Sequence, residues 1–261
     1  MTTTDVVPVA PEQLRKLRRL NVIAGFAHLI QMIAVLVLSN EFALSVTGTY
    51  MTGPPGSPFA PPVTIFDVRI GWGVALFFGL SALFHFLVAS PWFFPRYANG
   101  LAHQHNYFRW VEYSLSSSVM IVLIALICGI SDVAAVIALF GVNAAMILFG
   151  WLQEKYEKPG SGGWMPFIFG CIAGIVPWIA IAIYVISPGA PAELTAPPFV
   201  YGIIISLFIF FNIFAIVQWL QYKRVGKWAN YLNGERTYIV LSLVAKSLLA
   251  WQIFAGTLAP S

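Results

Sequence analysis

Seven apolar runs of about 20 residues each dominate this chain and leave it few ways to fold. They cover roughly 20–39, 70–90, 108–130, 133–152, 165–187, 199–221 and 236–258. In hydrocarbon every backbone amide and carbonyl has to be satisfied within the chain, and runs of this length do so as helices. They are too long and too continuous for the alternating strands of a barrel. Only 9% of the residues are charged, against about 25% in soluble domains, and the mean hydropathy is +0.81. The expected fold is an all-α membrane protein, a seven-transmembrane-helix bundle forming a single domain over residues 1–261. The first run follows MTTTDVVPVAPEQLRKLRRLN and has no small-residue cleavage site after it, so it reads as a retained span. The last run reaches Ala259, Pro260 and Ser261, so no signalling tail is expected. Connections are short except for 40–69, where Tyr, Thr and Val residues around TGTYMTGPPGSPFAPP suit either a small hairpin or a structureless cap.

Charge placement sets an orientation. Arg15, Lys16, Arg18, Arg19, Arg96, Arg109, Lys155, Lys158, Lys223, Arg224, Lys227 and Arg236 fall on the side of the N-terminus, and only Arg69 falls on the other. Twelve against one puts the N-terminus in the cytoplasm and the C-terminus outside by the positive-inside rule. The net charge of +4 follows from this asymmetry. No basic stretch is interleaved with stacking aromatics, which argues against nucleic acid.

Lys246 is the exception, a cation within the last apolar run. It lies ten residues past Arg236, about 15 Å along a helix axis, too deep for easy snorkelling. An ammonium at that depth costs about 3 kcal/mol or more unless it is paired or chemically changed. A covalent imine with an aldehyde cofactor is one such change. Glu112 is the acidic residue best placed within a span, since Asp132, Glu154 and Glu235 sit at span ends. Glu112 suits either of two partners. Arg109 is three residues earlier on the same helix face. Lys246 leans toward the start of its own helix and so toward the half of the membrane that holds Glu112.

Neutral polar groups gather in the same half. His28 and His85, with Asn21, Gln31 and Ser81 in the first two spans, suggest a hydrated polar pocket. Ser116 lies one turn beyond Glu112, and Ser242 one turn before Lys246, so both hydroxyls suit a cationic nitrogen or its water. Ser114, Ser117 and Ser118 read as small residues that allow close helix packing. Phe208, Phe210, Phe211 and Phe214, with Trp178 after Pro177, Trp251, Met146 and Gly150, offer aromatic and flat surface for a rigid polyene or for ordinary core packing. Cys128 and Cys171 fall in apolar runs and read as core fillers.

Seven spans with one buried lysine in the last resemble the retinal-binding rhodopsins. The segments RWVEYSLSSSVMIVLI, ALFHFLV, MTGPPG, ILFGWLQEKY, FGCIAGIVPW, FVYGIIISLF and YIVLSLVAKS narrow the resemblance to the heliorhodopsin family, from about Asn21 onward. The inverted orientation is that family's hallmark. The resemblance implies all-trans retinal as cofactor, Lys246 as its Schiff-base lysine and Glu112 as the counter-ion. It places His28, His85, Ser81 and Ser242 in the polar network around the Schiff base. Ser116, Asn143, Met146, Trp178, Phe211, Gln218 and Trp251 would line or border the retinal pocket. It also implies a homodimer; the apolar runs place the chain in the cell membrane, and a light sensor would need a cytoplasmic signalling partner that the sequence does not name.

Proton-pumping relatives carry a second acid one turn before the lysine, where this chain has Ser242. They carry a proton donor on the third span, where this chain has Leu123. One carboxylate in reach, with apolar residues beyond it, favours a light sensor over a light-driven proton transporter or channel. A retinal-free seven-span transporter or scaffold, with Lys246 and Glu112 as a buried salt bridge, is the alternative from another class. No nucleophile–base pair, metal-ligand cluster or phosphate loop points to an enzyme.

Overall fold

The computed structural model describes residues 7–187, 191 and 195–259. Pro260 and Ser261, at the end of the last expected run, lie outside the described residues. Among the described residues, seven helices are long and apolar enough to cross a membrane. They are α1 (Pro11–Leu38), α2 (Ile70–Ala89), α4 (Tyr107–Ile127), α5 (Val133–Tyr156), α6 (Met165–Ile186), α7 (Pro198–Tyr222) and α8 (Tyr231–Ile253). The short helix α3 (Phe94–Ala102) joins α2 to α4. The chain is therefore a multi-pass integral membrane protein, a seven-helix all-α bundle.

Local sequence sets the helix ends. α1 starts nine residues before its apolar run and has 28 residues, about 42 Å of helix against about 30 Å of hydrocarbon. Its extra turns carry Arg15, Lys16, Arg18 and Arg19. Asn106, Asp132 and Asn230 cap α4, α5 and α8 by accepting hydrogen bonds from backbone amides of the first turn. α6 has Pro177 in its interior, which removes an amide donor beside Trp178. α8 ends in a π-helical turn, Phe254–Leu258.

The long connection forms a hairpin of β1 (Ala43–Gly48) and β2 (Val63–Arg69), antiparallel, with a register irregularity at Val46/Thr47. Gly56 turns the tip with φ +96°, a backbone state that L side chains rarely adopt. The hairpin is tied to the bundle end opposite the start of α1. Thr47 N–H donates to the Ser131 carbonyl at 2.8 Å, and Asn40 N–H donates to the Leu258 carbonyl at 3.0 Å.

α4 is the most enclosed span, with 67% of its apolar window buried. It packs beside α2 and α5 and also touches α6 and α7. Its serines permit this approach. Asn143 Nδ2 on α5 donates to Ser117 Oγ at 2.8 Å and Ser118 Oγ at 3.1 Å. The larger apolar core, including Val74, Phe77, Phe78, Ile121, Leu123, Ile124, Leu249 and Ile253, fills the half of the bundle nearer the hairpin. A smaller cluster with Leu17, Val88, Tyr97, Leu101 and Leu232 fills the half nearer the start of α1, the N-terminal face.

Asp132 Oδ1 accepts from both Ala134 N–H and Ala135 N–H. Asp132→Ala should cost about 1 kcal/mol, seen as a lower thermal unfolding midpoint in detergent, while Asp132→Asn should retain most of the stability.

Candidate functional site

Lys246 is sixteen positions into α8, on the face turned toward α2 and α4. Only 3% of it is exposed. Its ammonium has three N–H donors, and the bundle supplies three acceptors. Glu112 Oε1 on α4 lies 2.7 Å away, Ser81 Oγ on α2 lies 2.6 Å away, and Ser242 Oγ lies 3.0 Å away one turn earlier on α8. Ser81 Oγ also donates to Glu112 Oε1 at 2.7 Å. Glu112 is itself buried, so the pair is close, hydrogen-bonded and away from water. A buried pair of this kind is costly to break because the remaining charge has no compensation.

On one side of Lys246 is a largely apolar cavity of about 180 Å³ between α4, α5, α6, α7 and α8. Lys246, Ser242 and Ser116 form a polar end, and Ser116 Oγ is buried with no hydrogen-bond partner among the described residues. Met146, Trp178, Phe211 and Gln218 line the walls. The Trp178 ring stands edge-on to Phe208 and Phe211, with centroids 5.3 and 5.4 Å away. Trp110 packs closely against α5 at Gly150, where an added Cβ would meet its ring at 2.5 Å. Cys171, Ile175 and Phe208 line the cavity and are also exposed on the outer surface of the bundle, so the wall between α6 and α7 is thin. Cys171 is thus a surface residue and not the core filler expected from its apolar run, because that face of α6 looks outward.

Toward the N-terminal face a second cavity, about 30 Å³, is lined by Asn21, Ser81, His85, Asn106, Arg109, Glu112 and Glu235 among others. It has these polar groups on otherwise apolar walls and is large enough for about one or two waters. His85 Nδ1 bonds Asn21 Oδ1 at 2.8 Å. The His28 ring stacks on the His85 ring at 5.5 Å, and both its nitrogens are buried without a partner among the described residues. Asn21 Nδ2 reaches Tyr97 Oη at 3.3 Å, and Tyr97 Oη donates to Glu235 Oε1 at 3.0 Å.

The chain of polar groups ends in an ion cluster that sequence reasoning missed. Arg109 forms salt bridges to both Glu154 and Glu235, all three side chains being at most 4% exposed. Trp110 Nε1 donates to Glu154 Oε2 at 2.6 Å, and Asn106 Nδ2 to Glu235 Oε1 at 2.8 Å. Arg109 therefore does not pair with Glu112, although the two are three residues apart on one helix. Its guanidinium turns toward α5 and α8 and stacks over the Tyr238 ring at 4.2 Å, leaving Glu112 to Lys246. Glu154 and Glu235 read as span-end surface acids because the helix ends that bring them together lie far apart in sequence. Glu154 is two residues before the end of α5 and Glu235 four residues after the start of α8, so neither position marks a buried acid by itself. Arg109, counted above with the surface bases, is buried.

The structure thus brings Lys246, Glu112, Ser81 and Ser242 into direct contact. His28 and His85 are beside them, and Ser116, Met146, Trp178, Phe211 and Gln218 lie around the larger cavity. Asn143 sits behind its wall, bonded to Ser117 and Ser118. Trp251 is elsewhere. It is partly exposed and donates from Nε1 to Gln31 Oε1 at 3.1 Å, because five residues past Lys246 is well over a full turn and points out of the bundle. Gln31 goes with it to the outer surface and does not join the polar pocket.

Fold and site together define a seven-helix membrane protein with a buried lysine–carboxylate pair at the end of an apolar cavity. The sequence profile of the family described as Heliorhodopsin matches residues 17–258, most of the chain, and the chain belongs to the heliorhodopsin family. No curated protein matches the sequence. Membership makes the protein a light-sensing seven-span photoreceptor and not an enzyme, and carries with it a general capability to bind retinal.

Glu112→Gln should leave Lys246 buried without its charge partner and destabilise the retinal-free protein by about 3–5 kcal/mol. Adding Lys246→Met to that variant should recover most of the loss. Thermal unfolding of the three proteins in one detergent checks this, and equal midpoints for the single and double variants would show that the pair is not coupled.

Proposed function

We propose that this protein senses light through all-trans retinal held on Lys246 as a protonated Schiff base, with Glu112 as the counter-ion, and that it signals without net ion transport. The residues present fit that group. An amine nucleophile stands at the polar end of an apolar, aromatic-walled cavity, next to an orphaned hydroxyl at Ser116 and a carboxylate 2.7 Å away. When bound, retinal would supply a light-absorbing polyene that isomerises from all-trans to 13-cis, and Lys246 would hold it.

The rest is work for this chain's own side chains. A free ammonium at Lys246 has three N–H donors, whereas a protonated imine nitrogen has one. Of the three acceptors now shared, Glu112 is the charged one and keeps that bond by electrostatics. Ser81 donates to Glu112 Oε1 and helps to hold the carboxylate in place. A proton released from the nitrogen has acceptors within the polar groups around Glu112, His85 and Asn21, which run on through Tyr97 to Glu235. Displacement of charge at Glu112 biases helices α2, α4 and α8, whose side chains meet there. Eleven surface bases against Arg69 support a cytoplasmic N-terminal face, and a signalling partner would read the change on that side.

The observation that carries the no-transport reading is the one-sidedness of the polar groups. Toward the N-terminal face they continue from Lys246 to Arg109. Toward the hairpin face the bundle is filled by Val74, Phe77, Phe78, Ile121, Ile124, Leu249 and Ile253. A proton path across the membrane needs titratable groups or water along its whole length, and that half offers aliphatic and aromatic side chains. The buried carboxylates beyond Glu112 correct the expectation of a single acid with no continuation, but they extend the path on one side only.

Purified protein supplied with all-trans retinal should become coloured, while Lys246→Ala should stay colourless; a colourless wild type would overturn the retinal reading. Glu112→Gln should move the visible band, and an unmoved band would remove Glu112 as counter-ion. Illuminated vesicles in weak buffer should show no sustained pH change. A sustained change abolished by an uncoupler would establish a transporter instead.

A further inference from the structure

A cleft of about 470 Å³ opens between the end of α2, the short helix α3 and the start of α4, apart from the cavity at Lys246. Phe84, Leu87, Phe108 and Val111 give it an apolar interior, and Arg96 and His105 also line it. It lies at the N-terminal face, where α2 and α4 leave the apolar part of the bundle. From the geometry we infer that this cleft is a binding site for an anionic membrane lipid, with an acyl chain against the apolar side chains and the acidic head group on Arg96 and His105.

Three observations point to that occupant. Arg96 is exposed and has no salt bridge among the described residues; its contact is with the Phe93 ring at 5.7 Å. An unpaired guanidinium suits a phosphate or carboxylate, which it bonds through two parallel N–H groups. His105 Nδ1 is buried and has no hydrogen-bond partner among the described residues. Glu154, the carboxylate near this ring, is already engaged by Arg109, Trp110 and Asn106 N–H and makes no salt bridge to Arg96. Burial lowers the His105 imidazole below its ordinary pKa, with Glu154 opposing and His103 adding to the effect. The fixed charge at the mouth is therefore Arg96.

The site is also built in advance. Gly100 of α3 lies against the His105 carbonyl, which an added Cβ would meet at 2.8 Å. Gln104 has φ +58°, an uncommon state for a non-glycine residue, which turns the chain back on α3. Zwitterionic lipid would bring an ammonium group near Arg96, so charge favours a lipid with a net negative head group. The cleft shares Tyr97 and Asn106 with the polar groups beneath Glu112, and both donate to Glu235. An occupant would therefore press on two of the groups that hold the Arg109 cluster together. The lipid site does not depend on retinal or on Lys246.

The test is photo-cross-linking of the full-length protein without retinal, in mixed micelles containing phosphatidylglycerol with a diazirine in its acyl chain. Labelling should map to the stretch 84–111 and fall about tenfold in Arg96→Gln, the loss expected for one charge-assisted contact, while Arg96→Lys should retain most of it. Arg96 is exposed, so neither change disturbs packing, and an unchanged unfolding midpoint checks this. Equal labelling by the phosphatidylcholine analogue, undiminished labelling in Arg96→Gln, or labelling confined to other helices would overturn the proposal. Competition by millimolar inorganic phosphate as strong as that by unlabelled phosphatidylglycerol would also overturn it, by showing a phosphate site in place of a lipid site.

Discussion

The ion pair between Lys246 and Glu112 is the constraint on which the rest of this bundle depends. Each charge would be prohibitive alone in the middle of a membrane protein. Together, 2.7 Å apart and joined to Ser81 and Ser242, they fix how α2, α4 and α8 approach one another. α4 must be central to present Glu112, and its run of serines is what lets neighbours come close. The cavity then falls on the open side of the lysine, bounded by the aromatic faces of α6 and α7.

That arrangement separates two solvents inside one bundle. The N-terminal half holds His28 and a hydrogen-bonded series of His85, Asn21, Tyr97 and Glu235 that leads to the Arg109–Glu154–Glu235 cluster. The other half is close-packed hydrocarbon. A charge at the boundary can be redistributed among polar groups toward one face, whereas the core described toward the other is aliphatic and aromatic. Such asymmetry suits a switch, in which local electrostatics bias a packed element, better than a conduit.

Much of this was legible in the chain. Helix number and approximate span positions follow from hydropathy because the bilayer admits few backbone solutions. Lys246 and Glu112 stand out because charged residues are rare in hydrocarbon and demand a partner. Ser81 and Ser242 were identifiable as their neighbours from span membership and helical spacing. Less legible were groups whose roles depend on how distant helix ends meet. Glu154 and Glu235 are separated by 81 positions, and nothing local to either indicates that both close on Arg109. The same limit misplaced Trp251 and Gln31, since apolar and polar residues on an outward helix face look like those on an inward one.

By itself, the sequence determined that this chain spans a membrane seven times, that its basic residues lie almost wholly on one side, and that one lysine had to be paired or modified. These are properties of single segments in a given solvent, and hydrocarbon enforces them residue by residue. Only the tertiary structure decided which carboxylate takes Lys246 and which takes Arg109. It also decided that the polar groups join on one side alone, and that Arg96 and His105 share an apolar cleft. Those outcomes depend on which helix faces meet, and side-chain spacing within one helix does not specify its partner's rotation.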